Sequence, residues 1–278
     1  TAIRYFSWKI FSLCAPRLCE KFKIMDYIAL GKSNLLVSRT AFGAQRIGDI
    51  DDPEVAYQMI RMAYEDGVNF FDTSTKAPES ERRLGAALSD VRENVFIATK
   101  SAPRNGGELA IDIDVSLRNL GTSYLDLYQL ENPENLPKIN DGSEIIEKLV
   151  ELKSSGIIRH FGIVTDSMDV AERVLYSDVG WETIQFPFNM LCPESVENLT
   201  RRFYEKDIGF IAMQPLCGGV VTNIPLALGY FLPFENVVPL WGARNADELQ
   251  QILYFTKNPP RLDAQFYEEA AKIRDFFN

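Results

Sequence analysis

Asp72, Lys100 and Glu131 each stand near the C-terminal end of an apolar run: "VNFFDTS", "VFIATKS" and "YLDLYQLE". The runs are about 30 residues apart, the length of one strand–helix unit. A carboxylate, an ammonium and a second carboxylate emerging from neighbouring buried strands can hold charge and shift the ionisation of whatever lies between them. Such a trio suits proton transfer or stabilisation of a developing oxyanion. The alternative is an ordinary ion pair closing the end of the sheet.

Other chemistries are narrowed by what the chain lacks. Its single histidine, His160, lies in "GIIRHFGIV", before the apolar part of a strand, where a structural or surface role is expected. Ser-His-Asp, Cys-His and multi-histidine metal sites are therefore nearly excluded, and no metal is expected. The four cysteines, Cys14, Cys19, Cys192 and Cys217, form no CxxC pair and read as reduced thiols of a cytoplasmic protein. With 29 basic residues against 39 acidic, the net charge of −10 opposes binding to a phosphate backbone, so no nucleic-acid partner is expected. The chain has no run of the ~18 apolar residues that a membrane span needs.

The elements that must position the trio can be read from periodicity. In "DDPEVAYQMIRMAYEDG", Asp52 suits an N-cap, Pro53 the first helical position and Gly67 the stop. Val55, Met59, Ile60, Met62 and Ala63 recur at helical spacing. Apolar strand-like runs occur at 35–44, 68–74, 95–101, 124–131, 161–165, 183–189, 209–216 and 236–243, with helical stretches between them. One of those stretches is "SEIIEKLVELKSSG", with Gly156 as its stop. Strand starts recur at about 30 residues, and eight such units make an α/β fold of the (β/α)8, or TIM-barrel, type. Several runs are apolar throughout, as a parallel sheet buried on both faces requires. A doubly wound sheet is the rival, but the GxGxxG fingerprint after a first strand is missing. In such a barrel the C-terminal strand ends carry the site. Asp72, Lys100 and Glu131, with Gln185 and Asn189 from the sixth strand, then face one small space.

These residues also carry a resemblance. "FDTSTKAPESERRLGAAL", "VFIATK", "YLDLYQLENP", "IRHFGIVT", "IQFPFN", "GFIAMQPLCGG" and "VPLWGARNADEL" resemble consecutive segments of the aldo-keto reductases, and "LGKSNLLVSRTAFG" is similar to their opening hairpin and first strand. The resemblance runs in unbroken order from residue 25 to about 255. It implies one barrel domain over 25–278, with an N-terminal β-hairpin and a C-terminal helix, and NADPH-dependent reduction of a small-molecule carbonyl. Members of the family use Asp, Tyr, Lys and His: tyrosine protonates the oxygen, the aspartate-held lysine lowers the tyrosine pKa, and histidine orients the carbonyl.

By this resemblance Asp72 is the aspartate and Lys100 the lysine. The tyrosine position is Ala77, with the register fixed by "FDT" before it and "SERRLG" after it, and the histidine position is Glu131. Glutamate there also occurs in family members that reduce activated C=C bonds, although those keep the tyrosine. General acid catalysis is typically worth about 10²–10⁴-fold, so turnover is expected to be slow or altered. Glu131 and Lys76 are the candidate replacement donors, with a solvated loop role as the alternative for Lys76.

On the cofactor side, the resemblance places Gln185 on the nicotinamide carboxamide, with Met213 where an aromatic often stacks on the ring. Leu216, Gly218 and Gly219 lie along the pyrophosphate, Arg244 at the adenosine 2′-phosphate, and Gly242, Glu248 and Thr165 around them. A tight turn is the alternative for the two glycines, and a plain surface role the alternative for Arg244. Val164 and Ile252 stand where the family often has serine and asparagine. Three readings follow: a slow or altered reductase, a catalytically inactive NADPH-binding barrel acting as sensor or structural protein, and a barrel that has lost the cofactor.

Residues 1–24 carry five basic residues against one acidic among scattered apolar ones. They are expected to be an atypical extension outside the barrel, with Met25 as the natural start. A basic amphipathic surface-binding segment is the alternative.

Overall fold

The computed structural model describes residues 25–277, so the expectations for residues 1–24, Cys14 and Cys19 included, lie outside the described part. A two-stranded antiparallel hairpin comes first, β1 (Tyr27–Ala29) with β2 (Leu36–Ser38). Eight parallel strands then close into a barrel. They are β3 (Ala41–Gly43), β4 (Phe70–Asp72), β5 (Phe96–Ser101), β6 (Leu125–Glu131), β7 (Ile158–Val164), β8 (Thr183–Pro187), β9 (Gly209–Met213) and β10 (Val237–Trp241), which returns to pair with β3. A helix follows each strand: α1 (Pro53–Glu65), α2 (Pro78–Leu88), α3 (Gly106–Leu120), α4 (Ile145–Ser154), α5 (Met168–Leu175), α6 (Glu194–Glu205), α7 (Ile224–Phe231) and α8 (Ala246–Lys257). A ninth helix, α9 (Ala264–Phe277), packs on α7. The expected (β/α)8 barrel, its hairpin and its C-terminal helix are all present.

Local chemistry sets these limits. The Asp52 carboxylate accepts from Glu54 N at 2.9 Å, Pro53 opens α1 without a wasted donor, and Gly67 leaves the helix at φ +103. Most strands end one to three residues before the apolar runs do, although β5 and β6 end where their runs end, at Ser101 and Glu131. The run at 209–216 stops at Met213 because Gln214 turns into the left-handed region at φ +58. The run at 35–44 divides between hairpin strand β2 and barrel strand β3.

Alternation along each strand separates two cores. Phe70, Ala98, Leu127, Ile211, Val238 and Leu240 point inward and share a cluster with Leu30, Leu35 and Val37 of the hairpin, which plugs the barrel floor. Phe71, Ile97, Tyr128, Leu130, Ile163, Ile184 and Phe210 point outward to the helices. Two residues beyond Phe70, Ala98 and Leu127, the same face reaches Asp72, Lys100 and Gln129. The barrel is apolar below and polar at its C-terminal mouth.

His160 falls within β7. Its Nδ1 lies 2.7 Å from Glu182 Oε2, and Lys153 Nζ and Phe161 N also donate to Glu182. This histidine belongs to a structural network. Cys192 and Cys217 are free thiols. No helix among the described residues is long and apolar enough to cross a membrane, and no cluster of metal-ligating side chains occurs among them.

Candidate active site

A cavity of about 400 Å³ opens at the C-terminal end of the barrel. Asp72 is the last residue of β4, Lys100 the penultimate of β5 and Glu131 the last of β6, and all three line the cavity. Asp72 and Lys100 are buried, 2% and 4% exposed. The Lys100 ammonium forms a short ion pair with Asp72 Oδ2 and donates to the Thr73 carbonyl at 2.8 Å. An ammonium has three donors, so one N–H remains for a group in the cavity. Burial pushes the Asp72 carboxyl up from its ordinary range, against the opposing pull of Lys100 and of the Gln129 hydrogen bond.

Position 77 carries only a methyl group, and Ala77 is not part of the cavity lining. Its register is fixed from behind. Ser80 Oγ donates to Ala44 O at 2.7 Å, and the buried Glu81 accepts from Thr99, Ser116 and Asn119. Ala77 itself precedes α2, with its N–H on Ser74 O at 2.9 Å. Among the described residues no tyrosine lines the cavity. Tyr128 points outward to Ser101 at 2.6 Å, and burial raises its phenol far above the usual range. Lys76, one residue before Ala77, is an exposed loop lysine with its side chain 58% accessible, as the solvated alternative expected, and it also reaches a carboxylate. Its Nζ lies 2.7 Å from Glu131 Oε2 as a charge contact without an aligned hydrogen bond.

The remaining sequence candidates divide. Gln185, Met213, Leu216, Gly218, Gly219, Gly242, Arg244 and Glu248 all line the cavity. Thr165 does not: it is buried, and its hydroxyl accepts from Ser167 N at 3.1 Å, while Val164 and Asp166 on either side do line the cavity. Asn189 also stays outside, donating to Gln214 O and accepting from Leu191 N. Ile252 packs in the core of α8. Gly218 and Gly219 have φ +68 and +98, and a Cβ on either would meet nothing within 4 Å. The turn itself therefore requires glycine, and the space above it is open. Arg244 is held by Glu248, with Nη2 to Oε1 at 3.0 Å, and its side chain is 61% exposed at the rim. The Glu248 hydrogen bonds raise the Arg244 pKa further above its ordinary value.

Gln129 is the site residue that the sequence reading missed. Fully buried in β6, its Nε2 donates to Asp72 Oδ1 and to Gln185 Oε1, both at 3.0 Å. A polar residue inside the run "YLDLYQLE", two positions before Glu131 and so on the same strand face, was the available signal. Gln45 and Arg46, from the segment after β3, also line the cavity with no periodic pattern to mark them.

Comparison with known proteins agrees with this architecture. A sequence profile of the aldo/keto reductase family matches residues 40–224. Relatives include aldo-keto reductase YhdN of Bacillus subtilis, 26% identical over 217 residues, and L-galactose dehydrogenase of Arabidopsis thaliana, 29% identical over 215 residues. Those alignments cover 72% and 70% of this chain and 64% and 66% of the relatives, so the chain spans about two thirds of their length. Among solved structures, aldo-keto reductase AKR11C1 from Bacillus halodurans in its holo form superposes with a TM-score of 0.77 at 23% identity, covering 90% of this chain and 96% of that one. An aldo-keto reductase from Klebsiella pneumoniae in complex with NADPH gives 0.77 at 18% identity, covering 90% and 95%. The chain belongs to the aldo/keto reductase family of oxidoreductases.

Proposed function

We propose that this barrel binds NADPH and reduces a small carbonyl or activated C=C compound, slowly because the phenol that usually donates the proton is missing at Ala77. The reading rests above all on the buried Lys100 ammonium, fixed by Asp72 and Thr73 and keeping one donor for the cavity.

The lining suits a nicotinamide dinucleotide. Gln185 Nε2 has no partner among the described residues, open space lies over the Gly218–Gly219 turn, and Arg244 sits exposed at the rim. In this reading Gln185 holds the carboxamide and Met213 packs on the ring. The loop from Leu216 to Gly219 runs along the pyrophosphate. Arg244, braced by Glu248 and close to Gly242, takes the 2′-phosphate. The bound cofactor supplies a hydride. A carbonyl oxygen against Lys100 gains negative charge as its carbon is reduced, and the ammonium stabilises that charge in a water-poor site. Protonation then falls to solvent or to the Lys76–Glu131 pair, at a cost of the order of 10²–10⁴-fold relative to a positioned phenol.

The second reading, an NADPH-binding barrel without turnover, draws on one observation. Lys76 Nζ already lies 2.7 Å from Glu131 Oε2, so the two candidate replacement donors are engaged with each other. One experiment separates the two. NADPH is titrated by fluorescence, and NADPH oxidation is followed with a panel of aldehydes, ketones and enones, beside Lys100→Met shown by circular dichroism to be folded. Saturable binding with turnover above that control supports the reductase. Saturable binding with no turnover leaves the sensor, and absence of binding removes both.

A further inference from the structure

Gln129 stands at the centre of a hydrogen-bond chain whose direction can be worked out atom by atom. Asp72 offers Oδ2 to the Lys100 ammonium and Oδ1 to Gln129, so both oxygens act as acceptors. An acceptor opposite Gln129 requires the Gln129 amide to present its nitrogen there. The same nitrogen has a second hydrogen, and that hydrogen meets Gln185 Oε1 at 3.0 Å. Gln185 is thereby fixed in turn: its oxygen is engaged below, and its Nε2, with no partner among the described residues, is left for the cavity. Gln129 is fully buried and its own Oε1 accepts nothing from the described residues, so both of its hydrogen bonds to them are made through Nε2, one to Asp72 and one to Gln185. A residue present only to fill space would not need that arrangement.

The geometry points to Gln129 as a positioning residue that locks the Gln185 amide with its N–H groups toward the cavity, so that this chain recognises the carbonyl oxygen of the nicotinamide carboxamide and ignores its –NH₂. The inference rests on the proposal that NADPH occupies the cavity. It goes further in predicting which half of the carboxamide matters, and in tying cofactor recognition to the Asp72–Lys100 pair through one side chain.

The test is a binding titration and needs no turnover. NADP⁺ and its 3-acetylpyridine analogue, which keeps the carbonyl but has methyl in place of –NH₂, are titrated into the unaltered protein, Gln129→Met, Gln185→Met and the double variant. Folding of each is checked by circular dichroism. The unaltered protein is expected to bind the two ligands within about 3-fold of each other. Gln129→Met is expected to weaken NADP⁺ by about 3- to 10-fold, the worth of a lost hydrogen bond. It should also shift the ratio against the analogue, because a released Gln185 amide can turn its oxygen to the –NH₂ that only NADP⁺ has. Adding Gln129→Met to Gln185→Met should change little, since coupled residues are not additive. Tight NADP⁺ binding with the analogue more than 10-fold weaker in the unaltered protein would overturn the assigned orientation. Gln129→Met binding both ligands as the unaltered protein does would overturn the positioning role. If the unaltered protein binds neither ligand, the cofactor proposal fails with it, a result distinct from the other two.

Discussion

Removing the Lys100 side-chain charge should expose how the site is held together, because Asp72 would then be a carboxylate in the barrel with no cation beside it. In Lys100→Met, Asp72 remains 2% exposed in its present setting and keeps only the Gln129 amide, and the Thr73 carbonyl loses its 2.8 Å donor. Breaking a buried pair from one side costs about 3–5 kcal/mol. The loss should depend on pH in a defined direction. Burial already raises the Asp72 carboxyl in the folded protein, and Lys100 opposes that rise. Without Lys100 the folded-state pKa climbs further above the unfolded value of about 3.9. A raised carboxyl favours the fold below its unfolded pKa and loses that contribution as pH rises through the folded one. Urea unfolding should therefore show the variant closest to the unaltered protein near pH 4 and furthest from it near pH 8. Asp72→Asn in the same background should recover part of the loss at pH 8, by about 1–3 kcal/mol. A gap below about 1 kcal/mol at pH 8, or one that shrinks as pH rises, would mean that the pair is effectively solvated rather than a buried ion pair.

Other outcomes follow from the same geometry. Burial alone would raise the Glu182 carboxyl, but bonds from His160, Lys153 and Phe161 N outweigh it and lower it. That stabilisation is present above the unfolded value of about 4.3 and fades as pH falls through the folded one. Glu182→Gln should then cost about 1–3 kcal/mol at pH 7 and progressively less below about pH 4, read by urea unfolding. Arg244→Ala should weaken NADPH by about 10-fold or more while leaving NADH nearly unchanged in a fluorescence titration. Gly85→Ala would set a Cβ 2.3 Å from the Leu120 carbonyl oxygen, so α2 and α3 must part. A loss of about 1–3 kcal/mol or more is expected in thermal unfolding.

Much of this molecule was legible in its residues, and the exceptions have physical reasons. The repeat of apolar runs identified eight strands because parallel strands buried on both faces leave little room for polar residues. Their ends were harder to read. Nothing in "GFIAMQPL" announces that Gln214 will adopt a left-handed backbone, a conformation unusual for glutamine. Asp72, Lys100 and Glu131 stood out because a charge ending an apolar run is conspicuous. Gln129 did not, since an uncharged amide within the run resembles a tolerated polar substitution until the neighbouring strands supply its partners. Thr165 differs in kind. The resemblance set it around the cofactor, and its hydroxyl accepts from Ser167 N in the turn that opens α5.

In the proposed function, the Asp72–Lys100 pair works without the family's phenol, for which Ala77 stands. Ala77→Tyr tests this most directly, with NADPH oxidation measured against the same carbonyl panel as for the unaltered protein. A tyrosine hydroxyl at position 77 should raise kcat by one to several orders of magnitude, toward the ~10²–10⁴-fold that a positioned general acid contributes. A folded, NADPH-binding Ala77→Tyr protein with no gain in rate on any substrate would contradict it.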